Sequence, residues 1–282
     1  MMLRIRTALA GLAVLLLAGI TAAGPANAIT GGEPDGNDHP NVGLIMFYDS
    51  DGRTRCTATL ISPTVLITAA HCTSVAVGSV LVDFDSVIAE TGPNPYPPAT
   101  DPAKGYTSEE IAAMGELSGT AYTHPGYSDF TDRANWNDVG VIVLDQAVDI
   151  APARLAPQDY LDRFTPNVLN QTAFDVVGYG TEVRQADSGP QKPTPMTYPL
   201  IRRQTSVIGQ KLTTQILQGN GNENDNRAGG GTCLGDSGGP VLHDGLIVAV
   251  MSYGNTDNCR YIAGYQRVDI EGVQSWVSSF LD

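Results

Sequence analysis

Charge is scarce in this chain of 282 residues: Asp, Glu, Lys and Arg together make up only 16% of it. That is too little for a disordered polyelectrolyte or a coiled coil, whereas an apolar share of 42% can supply a core. Positive charge is the scarcer sign. Sixteen Lys+Arg against 30 Asp+Glu leave a net charge of −14, which argues against a nucleic-acid partner, whose phosphates call for Lys and Arg. Cysteine occurs four times, at Cys56, Cys72, Cys233 and Cys259, with no C-x-x-C pair, so a structural zinc site is not expected. No phosphate loop, nucleotide fingerprint or metal-ligand cluster is legible, so neither cofactor nor metal is expected. Long hydrophobic runs are also missing. The stretch Ala8–Ile20 has 13 residues, short of the ~20 that span a bilayer.

What is abundant is Gly (31) and Pro (18), without the period of three that marks collagen, and this favours a turn-rich β protein over a helix bundle. The basic start Arg4/Arg6, the apolar run and the small-residue ending Ala26-Asn27-Ala28 form a signal peptide over residues 1–28. Cleavage near Ala28 predicts a secreted protein with no stable membrane anchor. Export permits disulfides, and four cysteines allow three pairings.

Short apolar runs separated by turn residues predict strands: Val42–Tyr48, Thr59–Ile61, Val65–Ala70, Val80–Phe84, Val139–Leu144, Ala173–Val177, Val241–Leu242 and Leu246–Ser252. Two helices are predicted. Thr107-Ser108-Glu109-Glu110 is a capping box ahead of Ile111–Met114, and Asp269–Phe280 places Ile270, Val273, Val277 and Phe280 on one face. Thr91–Lys104, Asp187–Pro199 and Gln218–Gly231 are expected to be loops, the first because its five prolines forbid a central strand.

The chemistry concentrates in three places. Gly235-Asp236-Ser237-Gly238-Gly239-Pro240 offers a serine between glycines, which let the backbone turn tightly and free its N–H groups for an oxyanion. Thr68-Ala69-Ala70-His71-Cys72 puts an imidazole at the end of an apolar strand. Asn137-Asp138 opens another apolar run, where a carboxylate needs a partner; one ring N–H of a histidine supplies it, leaving the other nitrogen to take a serine proton. The serine motif also fits the nucleophile elbow G-x-S-x-G, but that fold needs an acid and then a histidine downstream. Here only His243 follows, with no acid between, and Gly-Gly-Pro-Val replaces the required helix. His39, His124 and His243 read as ordinary loop residues.

TAAHC, ND-VGVIVL and GDSGGP, in that order, resemble the chymotrypsin/trypsin-type serine peptidases across essentially all of the chain after residue 28. The resemblance implies an all-β protein of two packed antiparallel six-stranded barrels with a C-terminal helix: residues about 29–150, about 165–268 and about 269–281. It implies a secreted serine endopeptidase acting through an acyl-enzyme on protein or peptide substrates; the sequence is silent on oligomeric state, and a monomer is the default expectation. By the same likeness His71 is the base, Asp138 orients it, Ser237 attacks, and the N–H groups of Gly235 and Ser237 form the oxyanion hole. Ile29 would pair with Asp236 once its amine is free, and the disulfides would be Cys56–Cys72 and Cys233–Cys259. Gly231, Thr232, Ser252, Gly254 and Ala263 would form the substrate pocket; with no acid among them, cleavage after apolar or aromatic residues is expected rather than after Arg or Lys. Three features depart from the family pattern: Cys56-Thr57-Ala58 replaces Cys-Gly-Gly or Cys-Gly-Ser, the His71-to-Asp138 span is long, and Gln218–Gly231 lacks landmarks. The alternative from another class is a protease-shaped binding or adhesion module without catalysis.

Overall fold

Along Val42–Asp49 (β1) successive side chains enter two different cores. Ile45 and Phe47 point into one cluster, and Val42, Leu44, Met46 and Tyr48 into another. This period of two is what a strand imposes, and burial on both faces explains why the run has almost no polar residue. In the computed structural model of the chain, residues 29, 32–91, 93–183, 196–222, 227, 229–256 and 259–281 are described. The leader 1–28 and most of the Asp187–Pro199 segment lie outside them.

β1 continues into Gly52–Ser62 (β2), Val65–Thr68 (β3), Val77–Asp83 (β4), Leu117–Thr123 (β5) and Gly140–Leu144 (β6). These close in the order β1-β2-β3-β6-β5-β4, every pair antiparallel. Ala173–Gly178 (β7), Arg203–Leu212 (β8), Ile216–Asn220 (β9), Pro240–His243 (β10), Leu246–Gly254 (β11) and Ile262–Arg267 (β12) form a second closed antiparallel ring, β7-β8-β9-β12-β11-β10. The fold is thus two six-stranded barrels. Each has its own interior, around Phe47, Leu60 and Ile142 in the first and Phe174, Val207 and Tyr265 in the second. A third cluster joins outward residues of the first barrel (Ile67, Val141) to Val177, Val250 and Val268 of the second. At ~1.5–3 kcal/mol for each buried aliphatic side chain, that shared layer fixes how the barrels meet.

The helices agree with the periodicity. Ser108–Met114 (α2) carries the full capping box, with Glu110 N–H donating to Thr107 Oγ1 at 3.2 Å and Thr107 N–H to Glu110 Oε2 at 2.9 Å. The C-terminal helix, Glu271–Ser278 (α3), buries Val273 and Val277. It begins after Asp269, whose carboxylate instead accepts from the Arg267 guanidinium and Leu161 N–H. Among its described residues Thr91–Lys104 contains no strand, but Tyr96 and Ala99 are buried and Arg53 Nη1 donates to Tyr96 O at 2.6 Å, so the segment is fastened to the barrel.

Other expectations change. The Val65–Ala70 strand stops at Thr68, and Ala70 opens the one-turn helix Ala70–Thr73 (α1). Gln218–Asn220, expected as loop, belongs to β9. Strands β5, β8, β9 and β12 were not predicted. β8 shows why: its polar residues Gln204, Thr205 and Ser206 lie at its half-covered surface, and only Arg203 and Val207–Gly209 are buried.

Candidate active site

The histidine and its acid come from one barrel. β3 delivers the chain to α1, where His71 sits beside Cys72, and Cys72 is bonded to Cys56 on β2 with S–S 2.00 Å. Asp138 lies two residues before β6, which pairs with β3. Strand pairing therefore brings together two residues 67 positions apart. His71 Nδ1 lies 2.9 Å from Asp138 Oδ2, and the His71 backbone N–H donates to Oδ1 at 2.8 Å. Asp138 is fully buried, and Ser252 Oγ on β11 donates a further bond to its Oδ2 at 2.6 Å. With Nδ1–H engaged by the carboxylate, Nε2 is the imidazole's remaining basic nitrogen.

The serine comes from the other barrel, in the loop between Cys233 and β10. Thr57 N–H donates to Ser237 O at 2.8 Å, and Cys72 Sγ lies 3.9 Å from the same oxygen, which seats the loop against β2 and α1. Ser237 Oγ makes no hydrogen bond to His71 in this structure. Glycine is required at 238: φ is +78°, and a Cβ there would stand 2.0 Å from Thr68 Oγ1. At Gly235, φ is +97°. Within this loop Asp236 N–H donates to Cys233 O, Gly238 N–H to Met251 O and Gly239 N–H to Asp236 O. The N–H groups of Gly235 and Ser237 have no acceptor among the described residues, which leaves them available to an incoming oxygen. Leu234 O accepts from Thr181 N–H at 2.7 Å, fixing the peptide that carries the Gly235 N–H.

Beneath this loop Asp236 is fully buried, accepting from Gly180 N–H and Cys233 N–H, both at 2.7 Å. Burial pushes its pKa up to about 7, against the opposing pull of those two amides and of the Arg55 charge. Ile29 is also fully buried. Cys233 is bonded to Cys259 (S–S 2.06 Å), so both expected disulfides are present. Cys56, His71 and Cys72 cluster closely enough for a metal, but both sulfurs are in a disulfide and offer no thiolate.

The residues expected in the substrate pocket are dispersed in role. The Ser252 hydroxyl faces Asp138, not a cavity, and also accepts from Trp136 Nε1 at 2.9 Å. Gly231 packs on Gly221, a Cβ there falling 2.6 Å from Gly221 Cα. Thr232 and Ala263 are buried, Thr232 Oγ1 resting on Met251 Sδ, while Gly254 is exposed and would meet nothing closer than Thr256 O at 4.0 Å.

Sequence reasoning missed several contributors. Thr57 Oγ1 donates to Gly235 O at 2.9 Å and accepts from Tyr179 N–H at 3.1 Å, giving the Cys56-Thr57-Ala58 departure a role in holding the serine loop. Gln266 Oε1 accepts from Asp138 N–H at 3.1 Å. Phe130, with φ +62°, sets its ring 5.6 Å from that of His71 and 5.2 Å from Trp136. Only the unusual Cys-Thr-Ala was visible as a signal.

Residues 29–277 match the trypsin family. The chain is 29% identical to a trypsin of Saccharopolyspora erythraea over 90% of this chain and 95% of that protein, and 27% identical to trypsin alpha of Drosophila erecta over 81% and 78%. Among solved structures it resembles HL collagenase (TM-score 0.60, 20% identity, 89% of this chain and 96% of that one). It also resembles human heparin binding protein (TM-score 0.57, 18% identity, 90% and 96%).

Proposed function

This chain belongs to the trypsin family of serine peptidases, and on that premise we propose that His71, Asp138 and Ser237 are its catalytic triad. Ser237 Oγ attacks the scissile carbonyl carbon while His71 Nε2 takes the hydroxyl proton. The carbonyl oxygen, now anionic, is received by the N–H groups of Gly235 and Ser237. His71 then returns the proton to the departing amine as the C–N bond breaks, leaving an acyl-enzyme. Water deacylates it by the same route. The observation that carries this reading is the buried Asp138 carboxylate engaging both the ring and the backbone of His71. It selects the tautomer that leaves Nε2 basic and stabilises the imidazolium that forms. A direct Ser237–His71 bond is not required beforehand, since catalytic hydrogen bonds commonly tighten only with substrate in place.

Residues 1–28 direct secretion and are removed near Ala28, freeing the Ile29 ammonium to pair with Asp236 and hold the oxyanion loop. The elevated pKa of a carboxylate that, among the described residues, accepts only from amides supports a site suited to that cation. Gly231, Thr232, Gly254 and Ala263 offer a substrate side chain no counter-charge, in keeping with cleavage after apolar or aromatic residues. Fluorophosphonate labelling tests the triad: wild type labels and Ser237→Ala does not, whereas no labelling of wild type would leave a protease-shaped binding module. Cleavage profiling tests the pocket, and preference for Arg or Lys would remove its assignment.

A further inference from the structure

Asp138 is seated at both of its ends by the opposite barrel. Its carboxylate takes the Ser252 hydroxyl of β11, and its backbone N–H donates to Gln266 Oε1 of the neighbouring strand β12 at 3.1 Å. The turn that delivers it is strained. Asn137 has φ +45°, the left-handed region that asparagine tolerates better than most residues. Asp138 lies before β6 begins, and among the described residues Gln266 Oε1 is the acceptor for its N–H. One residue earlier, the Asn137 N–H donates to Gln215 Oε1 at 3.4 Å, in the connection between β8 and β9. Two glutamines of one barrel thus receive two successive amides of the other.

The two glutamines are also joined. Gln266 Nε2 donates to Gln215 Oε1 at 3.2 Å and to Arg267 O at 3.0 Å, and Arg267 N–H donates to Gln215 O at 2.9 Å. Gln266 is fully buried, and both ends of its amide are engaged. This network fixes which end faces which partner: only Oε1 can accept from the Asp138 N–H, and only Nε2 can donate to the two oxygens behind it. A buried N–H left without an acceptor is costly, so loss of the Gln266 amide favours rotation of the Asn137–Asp138 peptide. That peptide leads into the residue whose carboxylate engages both Nδ1 and the backbone N–H of His71. Neither glutamine is among the residues expected to meet a substrate; both reach the site through the backbone of Asn137 and Asp138.

We propose that Gln266, oriented by Gln215, is a positioning residue for the reaction: it holds the backbone of Asp138 so that the carboxylate keeps His71 in the tautomer that leaves Nε2 basic. This rests on the catalytic reading above. The test is peptide hydrolysis expressed per site that a fluorophosphonate labels, so unfolded protein does not count. Gln266→Met, close in volume but without the amide, should lower kcat about tenfold and leave KM within about twofold of wild type, the pattern of a displaced catalytic group with substrate contacts intact. Gln215→Met should lower kcat by a smaller factor. Gln215→Glu, whose carboxylate still accepts from both of its partners, should recover most of that loss. In an Asp138→Asn background Gln266→Met should add no further loss, because the two residues act as one unit. An unchanged kcat in Gln266→Met, a rise in KM in its place, a full further loss in the Asp138→Asn background, or equal losses in Gln215→Met and Gln215→Glu overturns the proposal. The two readings fail differently. A slow Asp138→Asn beside an undiminished Gln266→Met removes only the role of Gln266, whereas an Asp138→Asn as fast as wild type, or a wild type that takes no label, removes the triad and this positioning with it.

Discussion

Asp138 and Asp236 are both completely buried, yet the two barrels treat them differently. Around Asp138 the strands converge an imidazole, a backbone N–H and a serine hydroxyl. Around Asp236 two backbone amides are the only groups that donate to it among the described residues, and its pKa rises to about 7. A third buried acid, Asp35, shows what a cation does. Burial again raises its pKa, but bonds from His39 and from Arg202 Nε, the latter at 2.7 Å, outweigh that and leave it lowered. Burial alone does not set the charge of a carboxylate. The partner does, and of the three Asp236 is the one that accepts from backbone amides alone among the described residues.

Changing the partners tests this contrast. Asp138→Asn should leave the fold in place and lower kcat about 10⁴-fold, because the amide favours the wrong tautomer of His71; steady-state peptide hydrolysis reads it. Arg202→Met takes from Asp35 its buried guanidinium, leaving His39, and also breaks bonds to Val42 O and Phe84 O, so it should cost about 3–5 kcal/mol in urea unfolding. Ser252→Ala removes one of three donors to Asp138 and should lower kcat/KM about tenfold, shifting the histidine limb of the pH–rate profile; an unchanged limb would make Ser252 merely structural.

A further effect is in stability against pH. With Asp236 raised from 3.8 to about 7 in the folded chain, its contribution is present below about pH 4 and lost as pH rises through 7. Asp35, being lowered, acts oppositely: its contribution is present above the ordinary carboxylate pKa and lost as pH falls through the folded value. A chain still joined at Ala28 should therefore lose urea resistance between pH 5 and pH 8 relative to one with a free Ile29, and Asp236→Asn should erase the difference.

The sequence disclosed the parts whose chemistry is local. TAAHC, Asn137-Asp138 and GDSGGP each place a reactive group beside its turn or strand, so the site's centre was legible before any fold. The supports were not. Ser252 and Gln266 owe their roles to partners more than 100 residues away, and nothing in their own neighbourhoods announces them; for Thr57 the Cys-Thr-Ala departure was the one sign. The fold divides similarly. β1 and β11, buried along most of their length, stand out as apolar runs. β8 and β12 are hidden because Arg203, Gln266 and Arg267 are buried by pairing: Arg203 Nη2 meets Glu182 at 2.6 Å, and Arg267 Nε meets Asp269 at 2.9 Å.

The most direct measurement traps the acyl-enzyme. A slowly deacylating ester mixed with enzyme in stoichiometric amounts should give a burst of released alcohol and a mass gain equal to the acyl group, located by peptide mapping on Ser237. A burst with the acyl group on any other residue, or no covalent adduct while peptide bonds are being cut, would contradict the assignment of Ser237 as nucleophile.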